Sequence, residues 1–396
     1  MSDAGGRIAD RENWTREARQ KQIGDFMEEQ RELKKAVFVS HRKSVHGGSG
    51  GQQVCTHEYR ETLRLAGFDL VDVFWEHDRA FARRLSNRLR PSPYNRPWSS
   101  ALAKQAVDAA QSHSADLIFL NVIDLLPLAH DIKELAGNDC KVVMLSHGLA
   151  SVDEVHTQRI LKSYPFLPMN PSPFRTGDLL RQEAEYLPFC DHVVSLAPFE
   201  VEICRWLGAG SNSWVPRAIP RDRLDWRPVE GRVGVVGTLD HPPTMEAMWL
   251  VLDSMQKQGP GQARVRVVSG SRRQAAYFAE KFSFVDDVGR LDDASLREEA
   301  ATWRAFLHPL FCHARGASTK LATGLSWGLP CLTTESGQRG YDLPEGIVSL
   351  AGSPSEFASL VADVCTNKGV RSELSPAWSV GDSAARLAEA LRTLHF

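Results

Sequence analysis

The segment 313–320, HARGASTK, combines small and cationic residues at the predicted start of a helix. A helix start presents unpaired backbone N–H groups and the positive end of the helix dipole, so it favours a phosphate group. Gly316 lets the backbone approach a ligand closely, and Arg315 and Lys320 can add cationic contacts. The same pattern also fits an ordinary strand-to-helix turn capped by Ser318. These residues alone favour that simpler interpretation slightly.

A second candidate site is the glycine-rich loop HGGSGG, which ends at Gly50 and Gly51. It lies between a predicted strand, Ala36–Ser40, and a predicted helix from Gln52 to Ala66. Glycines at such a turn allow a phosphate or a sugar to approach the backbone. They do not form GxGxxG in register, and no acidic residue stands out as a ribose partner, so a nicotinamide dinucleotide site is only weakly supported.

His147 is the candidate for chemistry at a strand end. It follows the predicted strand Lys141–Leu145 in the sequence Ser-His-Gly. Parallel α/β sheets place ligand contacts at the carboxyl ends of their strands. A lone histidine is otherwise more often a structural residue, so its role depends on the fold.

Strands and helices alternate twice along the chain, with the proline-rich segment WVPRAIPRDRLDWRP between the two series. Repeated βα units imply parallel sheets covered by helices. The sequence therefore predicts an α/β protein with two Rossmann-like domains facing a central cleft, where ligands commonly bind. The predicted limits are 36–215 for the first domain, 216–230 for the linker and 231–378 for the second domain.

Composition narrows the class of protein. The chain has 396 residues and a net charge of -2, which gives no reason to expect nucleic-acid binding. Its seven cysteines show no CxxC pair and no metal-ligand spacing, which predicts reduced thiols in a cytoplasmic protein without a metal site. No stretch is long and apolar enough for a transmembrane helix, and we expect no signal peptide.

Two charged segments remain. Residues 1–35 are predicted to form a solvent-exposed helix or arm, for which a homo-oligomer contact is one role. Arg79–Arg96 contains six arginines, no acidic residue and leucines at helical spacing. It is interpreted either as an amphipathic helix touching anionic lipid at the inner face of the membrane or, slightly favoured, as a solvated helix face.

With these elements placed, the chain resembles a retaining GT-B glycosyltransferase of family four over about residues 36 to 394. The segment HPLFCHARGASTKLATGLSWGLPCLTTESGQRGYDL is similar to the family pattern PLxxGxGxxxKxLEAMAxGxPVVxTxxGxxG. VGVVGTLDHPPTMEAMWLVLD resembles the opening strand and helix of the family's second domain, and VDDVGRL resembles its VGRVDD segment. Gly50-Gly51 and Ser146-His147 match a paired glycine and a TxH strand end.

The resemblance implies a nucleotide-diphosphate sugar held mainly by the second domain and an acceptor bound by the first. It implies that His147 sits near the transferred sugar, that residues 379–396 form a helix returning to the first domain, and that no metal or other cofactor is needed. The implied donor diphosphate contacts are Arg315, Gly316, Ser318, Thr319 and Lys320, and the implied ribose and base contacts are Thr323, Gly237, Thr238, Ser269 and Val288.

One departure from the family pattern concerns the donor ribose. The family usually carries a glutamate in its KxLEA helix, and here Thr323 occupies that position while Arg315 stands eight residues earlier. A threonine can bond a hydroxyl, but the charge-assisted bond is lost, a difference of about 1 kcal/mol or more.

The predicted function is therefore a hexosyltransferase-type glycosyltransferase with altered donor contacts. It would move a sugar to a glycan or lipid-linked acceptor in polysaccharide biosynthesis. The alternatives are a catalytically inactive GT-B partner subunit and a GT-B sugar-nucleotide epimerase. The epimerase usually needs paired acidic residues in the cleft, which the sequence does not reveal.

Overall fold

The computed structural model describes residues 33–47, 50–75, 92–95, 101–366, 379–392 and 394. Nearly all of the 1–35 segment lies outside these residues, and so do all six arginines of the Arg79–Arg96 stretch. Within the described ranges, no helix combines the length and the apolarity needed to cross a membrane.

The first domain is built on a six-stranded parallel sheet with the order β2-β1-β3-β4-β5-β6. Its central strands are continuous apolar runs because both faces of the sheet are covered. In β1, for example, Ala36, Val37, Phe38 and Val39 are all fully buried. The strands are β1 (Lys34–His41), β2 (Phe68–Trp75), β3 (Leu117–Asn121), β4 (Lys141–Leu145), β5 (His192–Ser195) and β6 (Asn212–Trp214).

Helices cover this sheet on both faces, since alternate side chains of a strand point in opposite directions. Val37 and Val39 of β1 pack with the helices Ala101–Ser112 and Leu126–Ala136, whereas Ala36 and Phe38 pack with the helix Gly51–Leu65. The helices of this domain are α1 (Arg42–His46), α2 (Gly51–Leu65), α3 (Ala101–Ser112), α4 (Leu126–Ala136), α5 (Ala150–Ser163), α6 (Thr176–Tyr186) and α7 (Pro198–Trp206).

The second domain repeats the plan with the parallel order β12-β11-β10-β7-β8-β9. Its strands are β7 (Arg232–Val236), β8 (Arg264–Val268), β9 (Val285–Gly289), β10 (Phe306–His308), β11 (Cys331–Thr333) and β12 (Ser349–Leu350). Its helices are α8 (Pro242–Gln258), α9 (Arg272–Lys281), α10 (Asp293–Ala301), α11 (Thr319–Ser326), α12 (Glu335–Gln338) and α13 (Pro354–Thr366).

The predicted fold class is confirmed: the chain forms two α/β domains with parallel sheets. The final helix, α14 (Val380–Arg392), packs Leu387 and Leu391 into the core of the first domain beside Leu63 of α2.

Helix α5 was missed from the sequence. Its buried face includes the polar residues Ser151, Glu154 and Thr157, so the apolar period that would predict a helix is weak. The sequence also predicts that a helix begins at Glu183, and this position is wrong, because α6 runs from Thr176 to Tyr186. Both errors concern helices that stabilise polar contacts as well as apolar ones.

Gly234 in β7 allows the buried ring of Trp303 to lie against the strand. A Cβ added at Gly234 would stand 2.0 Å from the Trp303 ring. We expect Gly234→Ala to lower the free energy of unfolding by about 1–3 kcal/mol through overpacking. Urea denaturation measures this.

The matched control is Gly177→Ala near the start of α6, where nothing lies within 4 Å of the added methyl group. It should leave stability unchanged or raise it by about 0.4–1 kcal/mol. Equal unfolding midpoints for the two variants would contradict the packing argument.

Candidate functional site

A cavity of about 350 Å³ lies between the carboxyl-terminal edges of the two sheets. The first domain lines it with the start of α2 and with residues that follow β3 and β4. The second domain lines it with residues that follow β7, with the end of β10 and with the start of α11. Both domains therefore contribute the strand ends at which parallel α/β sheets bind ligands.

The cavity brings together about half of the site residues predicted from the sequence. Gly51, His147, Thr238, Arg315, Ser318, Thr319 and Lys320 line it. The other predicted residues, Gly50, Gly237, Ser269, Val288, Gly316 and Thr323, are not among its lining residues.

His147 is held by Asn121 at the end of β3. Its Nε2 lies 2.9 Å from Asn121 Oδ1, and the Asn121 amide group donates to Ser40 Oγ and Thr56 Oγ1, both at 2.9 Å. Because the amide nitrogen is used in this way, the oxygen faces His147 and Nε2 must carry the proton. Nδ1 of His147 is left with a lone pair that can accept a hydrogen bond.

The charge state of His147 follows from its surroundings. Burial, together with the nearby cations Arg217 and Arg315, lowers its pKa to about 3. The imidazole is therefore neutral at physiological pH. Asn121 was not singled out in the sequence, although a polar residue directly after the apolar run LIFL was an available signal.

The backbone next to Asn121 is strained. Val122 has φ 83°, a left-handed value that a β-branched residue rarely adopts. Such conformations cost of order 1–3 kcal/mol and cluster at functional sites. Val122 lines the cavity, so this strain lies at the site.

Lys320 projects from the first turn of α11 across the loop that follows β7. Its Nζ donates to the carbonyl of Thr238 at 3.3 Å. A Cβ on Gly237, which has φ +127°, would stand 2.2 Å from Lys320 Cε, so glycine is required there. The pKa of Lys320 is lowered to about 8, because burial and the charge of Arg339 outweigh the opposing effect of Asp240.

Arg339 is a second cation at the cavity, and sequence reasoning missed it. Its guanidinium donates to the backbone carbonyls of Ala314, Ser336 and Arg315. Burial lowers its pKa. Within the described part of the chain, no carboxylate forms an ion pair with Arg339 or with Lys320. The available signal was an arginine in the segment SGQRG after the predicted Thr-Thr strand end.

His308 lies beside these cations at the end of β10. It is 6% exposed, and its Nε2 has no hydrogen-bond partner among the residues that the structure describes. Burial, with the charges of Lys320 and Arg339, lowers its pKa to about 3, so the ring is neutral. Its unpartnered nitrogen is a candidate contact for a ligand group.

Arg315 is paired rather than free. Its Nε lies 3.1 Å from Asp153 Oδ2, and its backbone N–H donates to Asp153 Oδ1 at 2.9 Å. His241 Nε2 lies 3.3 Å from the same carboxylate. Burial alone would raise the pKa of Asp153, but His241 and Arg315 outweigh burial and hold it below its usual value.

Gly316 contacts the first domain. Its N–H donates to Glu200 Oε1 at 3.1 Å, and the same oxygen accepts the N–H of Leu149 at 3.0 Å. Gly316 has φ +58°, and a Cβ there would stand 2.4 Å from the carbonyl oxygen of His147. Burial raises the pKa of Glu200 to about 7.

Of the predicted ribose and base contacts, Thr238 lines the cavity and the other four do not. The Thr323 hydroxyl donates to the carbonyl of Thr319 at 3.0 Å within α11. Ser269 Oγ accepts the N–H of Ser271 at 3.0 Å. Val288 packs against an apolar cluster of the second domain.

One group of side chains among the described residues is close enough to share a metal ion. It comprises His130, Asp131 and Glu134 on α4. None of the three lines the cavity. The group therefore offers no metal to the cavity between the domains.

Among the comparisons with known proteins, only the comparison with solved structures found matches, and these support the fold. No protein-family model and no curated protein matches the sequence. A sucrose-phosphate synthase from Thermosynechococcus elongatus matches with 16% identity and a TM-score of 0.58, over 91% of this chain and 94% of that one.

Two further solved structures match this chain over most of its length. The apo form of the lipopolysaccharide outer core galactosyltransferase WaaB matches with 12% identity and a TM-score of 0.55, over 91% of this chain and 99% of that one. A glycosyltransferase from Rickettsia africae matches with 9% identity and a TM-score of 0.55, over 92% and 99%. At such identities the likeness concerns the fold, and that fold is GT-B.

The lowered pKa of Lys320 predicts how anion binding depends on pH. A bound anion favours the protonated amine, so affinity is full below about pH 8 and falls as the pH rises through the pKa. We expect the Kd of a nucleoside diphosphate to rise between about pH 7 and about pH 10, by at most about tenfold per unit. Isothermal titration calorimetry measures this.

Lys320→Arg is the control, because a guanidinium stays charged over this range. Its binding should lose the pH dependence while keeping affinity near neutral pH. An unchanged slope in this variant would assign the titration to another group.

Proposed function

We propose that the protein is a glycosyltransferase that moves a sugar from a nucleotide-diphosphate donor to a hydroxyl of a glycan or a lipid-linked acceptor. The observation that carries this proposal is the pair of cavity cations, Lys320 and Arg339, whose hydrogen bonds within the described residues go to backbone carbonyls. Partly buried cations without carboxylate partners favour an anionic ligand. The start of α11 adds N–H groups and a positive dipole at the same place.

The proposed leaving group is a nucleoside diphosphate. Two negative phosphates would be held by Lys320, Arg339 and the residues Ser318 and Thr319 at the start of α11. Fixed cations and helix-start N–H groups stabilise the charge that develops as the sugar leaves, which is the task a metal ion performs in other enzymes. We therefore propose transfer without a metal, as in family four.

His147 is proposed to position the transferred sugar. Its Nδ1 lone pair can accept a hydrogen bond from a sugar hydroxyl, while Asn121 fixes the ring. A neutral imidazole suits this role better than proton donation, since its pKa is about 3. In the proposed retaining reaction, the acceptor hydroxyl attacks from the leaving-group face, and an oxygen of the donor phosphate takes the proton.

The hydrogen bonding of Thr323 supports one alternative function, that of a GT-B partner subunit without catalytic activity. Its hydroxyl is bonded within α11, so it offers no replacement for the glutamate that binds the donor ribose in family four. Such a subunit would bind a nucleotide without turning a nucleotide sugar over. A sugar-nucleotide epimerase would instead release an altered donor without any acceptor.

The proposal predicts that nucleoside diphosphates and nucleotide sugars raise the melting temperature of the wild-type protein. Each charge-assisted contact is worth about 1.5–3 kcal/mol, so Lys320→Ala and Arg339→Ala should each weaken binding by about 10-fold to 100-fold. The matched control is Lys257→Ala on α8, whose side chain is 73% exposed and paired with Asp253. It should bind like the wild type.

Slow hydrolysis of the bound nucleotide sugar then tests the reaction. NMR of the freshly released sugar should show the anomeric configuration of the donor, and the rate should not change with EDTA. The transferase proposal fails if no nucleotide stabilises the protein, and binding without any turnover would favour the partner subunit.

The location proposed for this activity is the cytoplasm, with peripheral contact at the inner face of the membrane. It rests on the six arginines in the sequence Arg79–Arg96, all of which lie outside the described residues. Cosedimentation with anionic vesicles tests it, and unchanged binding after replacement of the six arginines would refute it.

A further inference from the structure

We infer that Asp153 and Glu200 form an interdomain latch that closes the cleft by binding the loop at Arg315 and Gly316. The loop belongs to the second domain, and both carboxylates belong to the first. The inference goes beyond the proposed function, because it concerns the contact between domains whatever ligand the cavity takes.

The first arm of the latch is Asp153. It lies in the first turn of α5, and its carboxylate binds Arg315 twice, through the backbone N–H at 2.9 Å and through Nε at 3.1 Å. It also binds His241, which precedes α8 of the second domain, at 3.3 Å. One carboxylate thus holds two separate segments of the other domain.

The second arm is Glu200, a residue in the first turn of α7. Glu200 is 1% exposed. Its Oε1 accepts one N–H from each domain, Leu149 at 3.0 Å and Gly316 at 3.1 Å. Its Oε2 is buried and finds no hydrogen-bond partner in the described part of the chain. A buried carboxylate oxygen without a hydrogen bond destabilises the folded state. We therefore attribute the presence of Glu200 at this position to the bond that its other oxygen makes with the second domain.

The latch changes the role expected for this loop. From the sequence, Arg315 and Gly316 were predicted to hold the donor diphosphate. In the structure, their N–H groups are taken by carboxylates of the first domain, and Arg315 is neutralised by Asp153. The anion-binding groups that remain are Lys320, Arg339 and the start of α11. The predicted motif therefore divides into a closing part and a ligand-binding part.

The close approach of the backbones at the latch supports this division. A Cβ on Gly148 would stand 2.4 Å from Gly316 N, and a Cβ on Gly316 would stand 2.4 Å from His147 O. The opposite end of α5 is joined to the second domain differently, through apolar packing of Ile160 and an Arg159–Glu246 ion pair. Opening at the latch can therefore leave this second junction intact.

The experiment measures the distance between the domains with labels at Arg64→Cys on α2 and Lys257→Cys on α8. These side chains are 70% and 73% exposed, and all seven native cysteines are buried, so labelling is selective. Double electron–electron resonance then gives the closed and open populations. The test variants are Asp153→Asn combined with Glu200→Gln, and, separately, Gly316→Ala.

Both variants should lower the ratio of closed to open molecules by about tenfold or more, since each loses charge-assisted bonds or close contact at the latch. The control for the carboxylates is Glu202→Gln on α7, because the side chain of Glu202 is 68% exposed. The control for the glycine is Gly346→Ala, where φ is +83° and the added methyl group meets nothing within 4 Å. Both controls should keep the wild-type distances.

The inference is overturned if either test variant keeps the wild-type distribution, or if Gly346→Ala opens the cleft as much as Gly316→Ala. Nucleoside diphosphate binding to the wild type is measured alongside. Opening in both test variants without nucleotide binding by the wild type would support the latch and reject the proposed function, so the two failures are separate.

Discussion

The site depends on keeping two cations, Lys320 and Arg339, in one cavity, although no carboxylate among the described residues forms an ion pair with either one. Burial lowers the pKa of both groups, and the charge of Arg339 also lowers the pKa of Lys320. The second domain meets part of this cost with backbone carbonyls, three for Arg339 and one for Lys320. Those carbonyls belong to the loop after β7, the loop after β10 and the start of α12, so stabilisation of the two charges depends on the local structure of these three segments.

The two domains approach one another at glycines. A Cβ on Gly340 would stand 2.3 Å from the carbonyl oxygen of Leu196. Gly148 and Gly316 meet in the same way, so no side chain separates the backbones at these points. Backbone contact fixes the spacing of the cavity walls more narrowly than contact between long side chains would. The groups of both domains are thereby brought to the same small volume.

The features that could be predicted from the sequence are those that depend on a local pattern of residues. Apolar runs such as AVFV and LIFL gave the strands, and their alternation with helices gave the two parallel sheets. Lys320 and His147 could be placed because each stands at a strand or helix end that local pattern defines. Asn121, Glu200 and Arg339 could not be assigned roles, since their partners lie 26, 116 and 25 residues away.

The same limit applies to Thr323 and to α5. A sequence comparison aligns Thr323 with a ribose-binding glutamate, but only the three-dimensional structure shows that its hydroxyl returns to Thr319. In α5, buried polar side chains replace the apolar stripe on which helix prediction depends. Pairing of charges across the cleft, as between Asp153 and Arg315, depends on how the domains dock and leaves no mark on local sequence.

Helix α14 has a consequence for how the protein is made. It buries Ala384, Leu387 and Leu391 against α2 and the first sheet, although nearly the whole second domain lies between them in the chain. A ribosome synthesises the first domain early, yet that face of its core stays uncovered until α14 emerges. The nascent first domain must therefore wait, with apolar surface exposed, while the second domain is translated and folds.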